Sequence, residues 1–164
     1  MLEQDRLRAI TGAGEDLTVI PSMDGKSPVD IDVLAEPAPA PCRWFFQETA
    51  TFGRDVEDFH KTSYQDPPHG ALLSQAAAAY RDPPTARRAF DGLAGLIGGC
   101  AATGGGLVFV GDVTTSGDAL HLRSGDCGRD YQVKSVVLAE VTFCRFSPAV
   151  PGLVMTNLLA RVPG

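Results

Sequence analysis

Basic charge is scarce in this sequence, and lysine is scarcest. Three lysines stand beside eleven arginines, and 20 acidic residues against 14 basic ones leave a net charge of −6. That balance argues against nucleic acid as the main partner and against adhesion to anionic lipid through a basic patch. No apolar run approaches the roughly 18 residues a membrane span needs. The opening stretch MLEQDRLRAI lacks the basic-then-apolar pattern of a secretory signal. Also missing are a CxxC pair for zinc or redox chemistry and a GxSxG turn for a nucleophilic serine. Gly104-Gly105-Gly106 has no Lys-Ser/Thr after it, so it is no phosphate-binding loop. Gly12-Ala13-Gly14 comes before the first convincing strand, which excludes a dinucleotide fingerprint. Histidine is rare too. Asp58, His60 and His69 are spaced by two and nine residues, which matches no strong metal-ligand pattern.

The chain is organised around Asp82–Ala102, DPPTARRAFDGLAGLIGGCAA. Asp82 can accept from the first free N–H groups of a helix, and Pro83 suits its first position. Ala86, Phe90, Leu93, Ile97 and Cys100 recur at helical spacing on one face, with Arg87, Arg88 and Asp91 mostly opposite. Upstream, a short helix over residues 2–10 carries Leu2, Leu7 and Ile10, and Asp16–Ile20 reads as a short strand. Pro21–Pro41 holds five prolines and reads as a loop, long enough for a mobile flap. Pro41 opens a second helix, CRWFFQETATF, with the Trp44, Phe45, Phe46 and Phe52 group either in the core or lining a pocket. Arg54–Gln65 is a strand with one polar face. Gly70–Tyr80 is helical by alanine propensity, yet a strand in a hairpin with its predecessor is also compatible. Strands follow at 107–113, 119–123, 131–138 and 140–146, with His121 facing solvent, and a closing helix spans 151–162. The sum is α+β, helices packed on one side of a mainly antiparallel sheet, in a single domain over 1–164.

Four well-separated cysteines, Cys42, Cys100, Cys127 and Cys144, fit two disulfides and an oxidising compartment, the alternative being four buried thiols. A bridge from Cys42 to Cys100 would tie two helices together, with a loop-entropy stabilisation of about 4 kcal/mol. Cys127 and Cys144 flank the last strands, where a bridge is easy to make. Among polar groups, Asp58, His60, Thr62 and Tyr64 share one strand face and are the candidate ligand-binding set, against the plainer reading of a solvated outer face.

The order of the pieces carries a resemblance. A cysteine helix after a proline-rich loop is followed by a polar strand and a second strand. Next comes a helix reading PTARRAFDGLAGLIGGCA, and then CGRDYQVKSVVLAEVTFC in the strand run. Over roughly residues 7 to 162 this resembles the PknH-type extracellular sensor domain family of mycobacterial receptor Ser/Thr kinases and stand-alone lipoproteins. The resemblance implies an extracytoplasmic α+β module with a curved sheet, a large cleft for an unidentified ligand, and the pairings Cys42–Cys100 and Cys127–Cys144. It also implies that the alanine stretch is a strand.

The expectation is therefore a non-catalytic, sensor-type domain outside the cytoplasm. It would bind a small molecule or an envelope component, with no cofactor or metal and no nucleic-acid partner. Since no kinase sequence accompanies the domain, a lipoprotein or a cut-out domain is expected, membrane-bound only through a lipid or helix outside this chain. The alternatives are a structural or protein-interaction lipoprotein of the envelope, and a small secreted hydrolase using His60 and nearby carboxylates.

Overall fold

The computed structural model describes residues 1–164. Its elements in chain order are α1 (Gln4–Thr11), β1 (Thr18–Val19), α2 (Asp32–Ala35), α3 (Glu48–Phe52), β2 (Val56–Asp66), β3 (Ala71–Tyr80) and α4 (Pro83–Ala101). There follow α5 (Leu107–Val110), β4 (Asp112–Ser116), β5 (Ala119–Ser124), β6 (Cys127–Lys134), β7 (Val137–Cys144) and α6 (Ala149–Leu159). The strands form one seven-stranded sheet in the order β1-β2-β3-β7-β6-β5-β4, antiparallel throughout.

The organising helix forms where its punctuation demands. The Asp82 carboxylate accepts from the Thr85 backbone N–H at 2.8 Å and from the Thr85 hydroxyl at 2.6 Å. Those two bonds hold the carboxyl below the ordinary carboxylate range. Pro83 and Pro84 occupy the first turn, where no N–H is required. Ala86, Phe90, Leu93, Ile97 and Cys100 are all buried, against Ala76, Ala78, Leu138 and Val133 of the sheet. Small alanines at these sheet positions let the helix backbone approach closely, which is why a helix-forming composition serves here as a strand.

The other face of the sheet is also covered. Residues of the opposite phase, Leu73, Ala139, Val141 and Phe143, pack under α1 and α6 through Leu7, Val150, Val154, Met155 and Leu158. The expected layer on one side is thus joined by a second layer of terminal helices, because β3 and β7 are apolar in both phases. Gln75, fully buried on this second face, clamps the N-terminus. Its side chain accepts from the Leu2 N–H at 2.9 Å, donates to the Leu2 carbonyl at 2.7 Å and donates to Thr62 at 3.0 Å.

Four local expectations are corrected. Residues 107–113 are not one strand: Leu107–Val110 is a helical turn, and Gly111 then reverses the chain into β4. Gly111 has φ +57°, and a Cβ there would lie 1.9 Å from the Arg123 carbonyl oxygen, so only glycine fits. The run 131–138 is divided by a turn at Ser135-Val136, where Ser135 adopts φ 53°, and its halves belong to β6 and β7. The cysteine helix is a 3₁₀ segment (Ala40–Phe46) followed by α3, interrupted at the extended Gln47. The proline-rich 21–41 stretch is stitched down rather than loose. Gly25 pairs with Lys61, Asp30 pairs with Gln47, and the Ile31 N–H donates to the Phe46 carbonyl at 2.8 Å.

Both disulfides form as the resemblance implied. Cys42–Cys100 fastens the 3₁₀ segment to the end of α4 across a sequence separation of 58. Cys127–Cys144 joins directly opposed residues of β6 and β7, with a separation of 17.

Candidate functional site

Register places polar residues in rows across the α4 face of the sheet. Lys61, Ala76, Glu140 and Tyr131 are opposed in succession across β2, β3, β7 and β6. The adjacent row is Ser63, Ser74, Thr142 and Arg129, and beyond it come Leu72, Cys144 and Cys127. α4 covers the Ala78–Leu138–Val133 end of this face. The polar rows are roofed instead by the 3₁₀ segment and by the stitched stretch from Met23 to Leu34, and between roof and floor runs a cleft.

Phe45 divides the cleft. Its ring centroid lies 3.8 Å from the Arg129 guanidinium carbon, close enough for a cation–π contact, and its carbonyl accepts from Arg129 Nη1 at 2.9 Å. On one side is a chamber of about 160 Å³ lined by Phe45, Phe109, Leu122, Arg129, Thr142 and the Cys127–Cys144 bridge. On the other is a chamber of about 190 Å³ whose floor carries Lys61, Ser74, Arg129, Glu140 and Thr142 and whose wall is aliphatic. Phe45, Phe46 and Phe109 meet in mutual edge and tilted contacts with centroids 5.4 to 5.9 Å apart, so α5 supplies one aromatic of the partition.

The charges in this cleft are held unevenly. Lys61 and Glu48 form an ion pair, and the other Glu48 oxygen accepts from the Val29 N–H at 2.8 Å, which anchors the wall. Glu140 is only 4 % exposed and accepts from the Thr142 hydroxyl at 3.1 Å. Arg129 donates only to neutral partners, the Phe45 carbonyl and the Tyr131 oxygen at 3.4 Å, and its buried Nε has no partner. Burial works against the Arg129 charge, but Tyr131 and the Glu140 and Glu48 carboxylates outweigh it and raise its pKa, so it stays a cation. Burial and the adjacent Glu140 carboxylate push the Tyr131 hydroxyl far up, so it stays neutral. The Ser63 and Ser74 hydroxyls bond one another at 2.6 Å.

The four residues singled out in β2 do not line this cleft, because they alternate out of phase with Lys61 and Ser63. Asp58 is exposed and accepts from the Phe59 N–H at 2.9 Å. His60 is half-exposed, 3.3 Å from an Asp24 oxygen. Thr62 and Tyr64 are buried on the terminal-helix face, Thr62 beside Gln75 and Tyr64 in the apolar cluster with Leu2, Leu7 and Leu17. Burial pushes the Tyr64 hydroxyl above its ordinary value. The four are therefore divided between an open end and a closed one. His121, expected to face solvent, keeps only part of its ring there, since Nδ1 is 2.9 Å from buried Asp130, which Arg123 also holds at 2.5 and 3.2 Å. No group of three or more His, Cys, Asp or Glu side chains is placed to hold a metal ion, and no helix is long and apolar enough to cross a membrane. The residues missed from sequence are Lys61, Arg129, Glu140 and Thr142. Their signal was a polar side chain in phase with the buried positions of its own strand.

Comparison with known proteins gives these features a context. The fold superposes on the crystal structure of the extracellular domain of PknH from Mycobacterium tuberculosis with a TM-score of 0.72. That likeness covers 99% of this chain and 92% of the other at 14% sequence identity, and so concerns the fold alone. A comparison with curated proteins finds no match. The family described as the PknH-like extracellular domain matches residues 1–161, nearly the whole chain, and the two disulfides agree with an oxidising environment. The chain belongs to the PknH-like extracellular domain family.

Proposed function

We propose that this domain is a sensor-type, non-catalytic binding module whose ligand, a small molecule or an envelope component, enters the cleft between the stitched wall and the polar rows of the sheet. We also propose that it works as one unit over 1–164, tethered to the membrane by a segment outside this sequence. The observation that carries this reading is Arg129, a half-buried cation in the cleft floor with a buried, unsatisfied Nε and only neutral partners. Buried polar atoms without partners are uncommon, and a cleft that keeps one is suited to a ligand that supplies the missing acceptor. A non-catalytic role is supported by the hydroxyls: Ser63 and Ser74 are engaged with each other, and the histidines stand outside the cleft, so no histidine activates a nucleophile there. Asp58 and His60 form an outer contact for a larger ligand at the open end of β2.

The test is a protein-observed heteronuclear NMR screen of an uncharged fragment library, run in parallel on Thr142→Trp, which fills the floor shared by both chambers. Expected are mutually competing hits that shift the Arg129 and Thr142 amides and vanish in the variant, whose circular dichroism is unchanged. Hits that persist in the variant, or none reaching those amides, overturn the cleft assignment. A second reading, docking of another protein, is favoured by the bare aliphatics Val33, Leu107 and Val108, which are 77%, 62% and 74% exposed.

A further inference from the structure

The cleft's charge pattern selects among ligand classes, and this selection rests on the binding reading just proposed. Four formal charges line the larger chamber: Lys61 and Arg129 against Glu48 and Glu140, which sum to zero. Lys61 and Glu48 are already consumed by their ion pair. Arg129 and Glu140 are not: neither takes part in any ion pair of the molecule. They are diagonal neighbours on adjacent strands, since Arg129 is opposite Thr142 and Tyr131 is opposite Glu140. Diagonal neighbours lie roughly 7–8 Å apart, within reach of an arginine, so the sheet permits a direct pair. Arg129 turns away to Phe45 instead, which leaves a cation and a carboxylate facing the same space.

We infer that the ligand is a small zwitterion of amino-acid type, its anionic group against Arg129 and its ammonium against Glu140, with an apolar part on the aliphatic wall. Three candidate classes compete, and charge bookkeeping separates them. A monoanion would bring net charge into a half-enclosed site that is already neutral and would face Glu140 unpaired. An uncharged ligand leaves Arg129 and Glu140 without an oppositely charged partner, and so without the strongest hydrogen bonds each can make. A zwitterion satisfies both and keeps the balance at zero. The wall sets the rest: Val29, Ile31 and Leu34 border this chamber and remain 55%, 37% and 47% exposed, apolar surface that a branched aliphatic group would cover. Size narrows it further. At about 190 and 160 Å³, each chamber is below the range of about 300–1,000 Å³ typical of drug-sized ligands, so an amino-acid-sized group fits and a long chain does not.

The experiment titrates the full chain, by heteronuclear NMR and calorimetry, with four probes that share one branched aliphatic tail: L-leucine, 4-methylpentanoate, 3-methylbutylamine and 4-methylpentan-1-ol. The expected result is saturable binding of L-leucine about tenfold or more tighter than any of the others. In Glu140→Gln its affinity falls to the level of 4-methylpentanoate, and in Arg129→Gln to the level of 3-methylbutylamine. If either variant fails to fold, the four-probe ranking on the unmodified chain still decides. Equal binding of 4-methylpentanoate and L-leucine overturns the inference, as does an absence of saturation by L-leucine. Phosphatidylethanolamine vesicles present the same charge pair as a headgroup, and binding to them without binding of L-leucine overturns the assignment to a free ligand. Should L-leucine fail while uncharged fragments still compete in the cleft, the zwitterion falls and the binding reading stands.

Discussion

The two faces of this sheet are built from the same strands and finish differently. Under α1 and α6 the central rows are closed: Leu73, Val141 and Ala139 meet Val154, Met155 and Leu158, and the buried polar Gln75 has its hydrogen bonds made. Under α4 closure reaches only part of the way. Past Ala78 and Leu138 the floor turns polar, the cover becomes a 3₁₀ segment and a proline-rich wall, and an arginine is left with an idle nitrogen. One face holds the domain together, and the other spends part of its surface on a cleft. Covering a sheet is thus a separate matter from satisfying it, and the unsatisfied rows are the place to look for binding.

The largest blow to this contrast should come from the roof. Removing the Cys42–Cys100 bridge with Cys42→Ala and Cys100→Ala together should cost about 4 kcal/mol by loop entropy, read as a lower denaturation midpoint and paralleled by reductant on the unmodified chain. An unchanged melting temperature under reductant would sink the claim. On the closed face, Leu73→Ala should cost about 3 kcal/mol in chemical denaturation while leaving the amide shifts of Arg129 and Thr142 in place. Movement of those shifts would mean that the two faces are coupled. A smaller loss, about 2 kcal/mol, is expected for Glu48→Gln, which strips Lys61 of its partner and slackens the wall at Val29; hydrogen exchange at the Ile31 and Val29 amides should rise more than elsewhere.

Smallest is Asp82→Ala at the start of α4, expected to lower the melting temperature by a few degrees at neutral pH. The Asp82 carboxyl titrates below its unfolded value because Thr85 donates to the charged form, so its stabilisation is complete above the unfolded pKa of about 3.9. It is lost as pH falls through the lower, folded value, and the melting curves of the two proteins should converge in acid. A gap that widens on acidification would contradict the capping role.

Much of the face under α4 was legible. The α4 stripe from Ala86 to Cys100 is strictly helical in spacing, and Asp82-Pro83 marks its start. Leu107–Val110 misled because four apolar residues carry no period, and the deciding fact is the approach of Gly111 to Arg123, residues apart in sequence. The cleft was illegible for a related reason. Lys61, Arg129 and Glu140 come from three strands, and only the register makes them neighbours. In β2 the polar residues occupy both phases, so alternation alone leaves open whether His60 or Lys61 faces the cleft, and a shift of one residue exchanges the answer. The irregular pairing between Val56 and Asp58 adds to that ambiguity.

The bond from Cys42 to Cys100 also bears on how tightly a small ligand can be held. A wall that must fold over its guest takes the entropy of that ordering out of the affinity. Here Phe45 lies three residues from a covalent anchor, and the wall is tied to the sheet at Gly25 and to Glu48 at Val29. Its freedom is removed when the protein oxidises and folds, before any ligand arrives. Preorganisation of this kind lets a guest with few atoms use nearly all of its contacts.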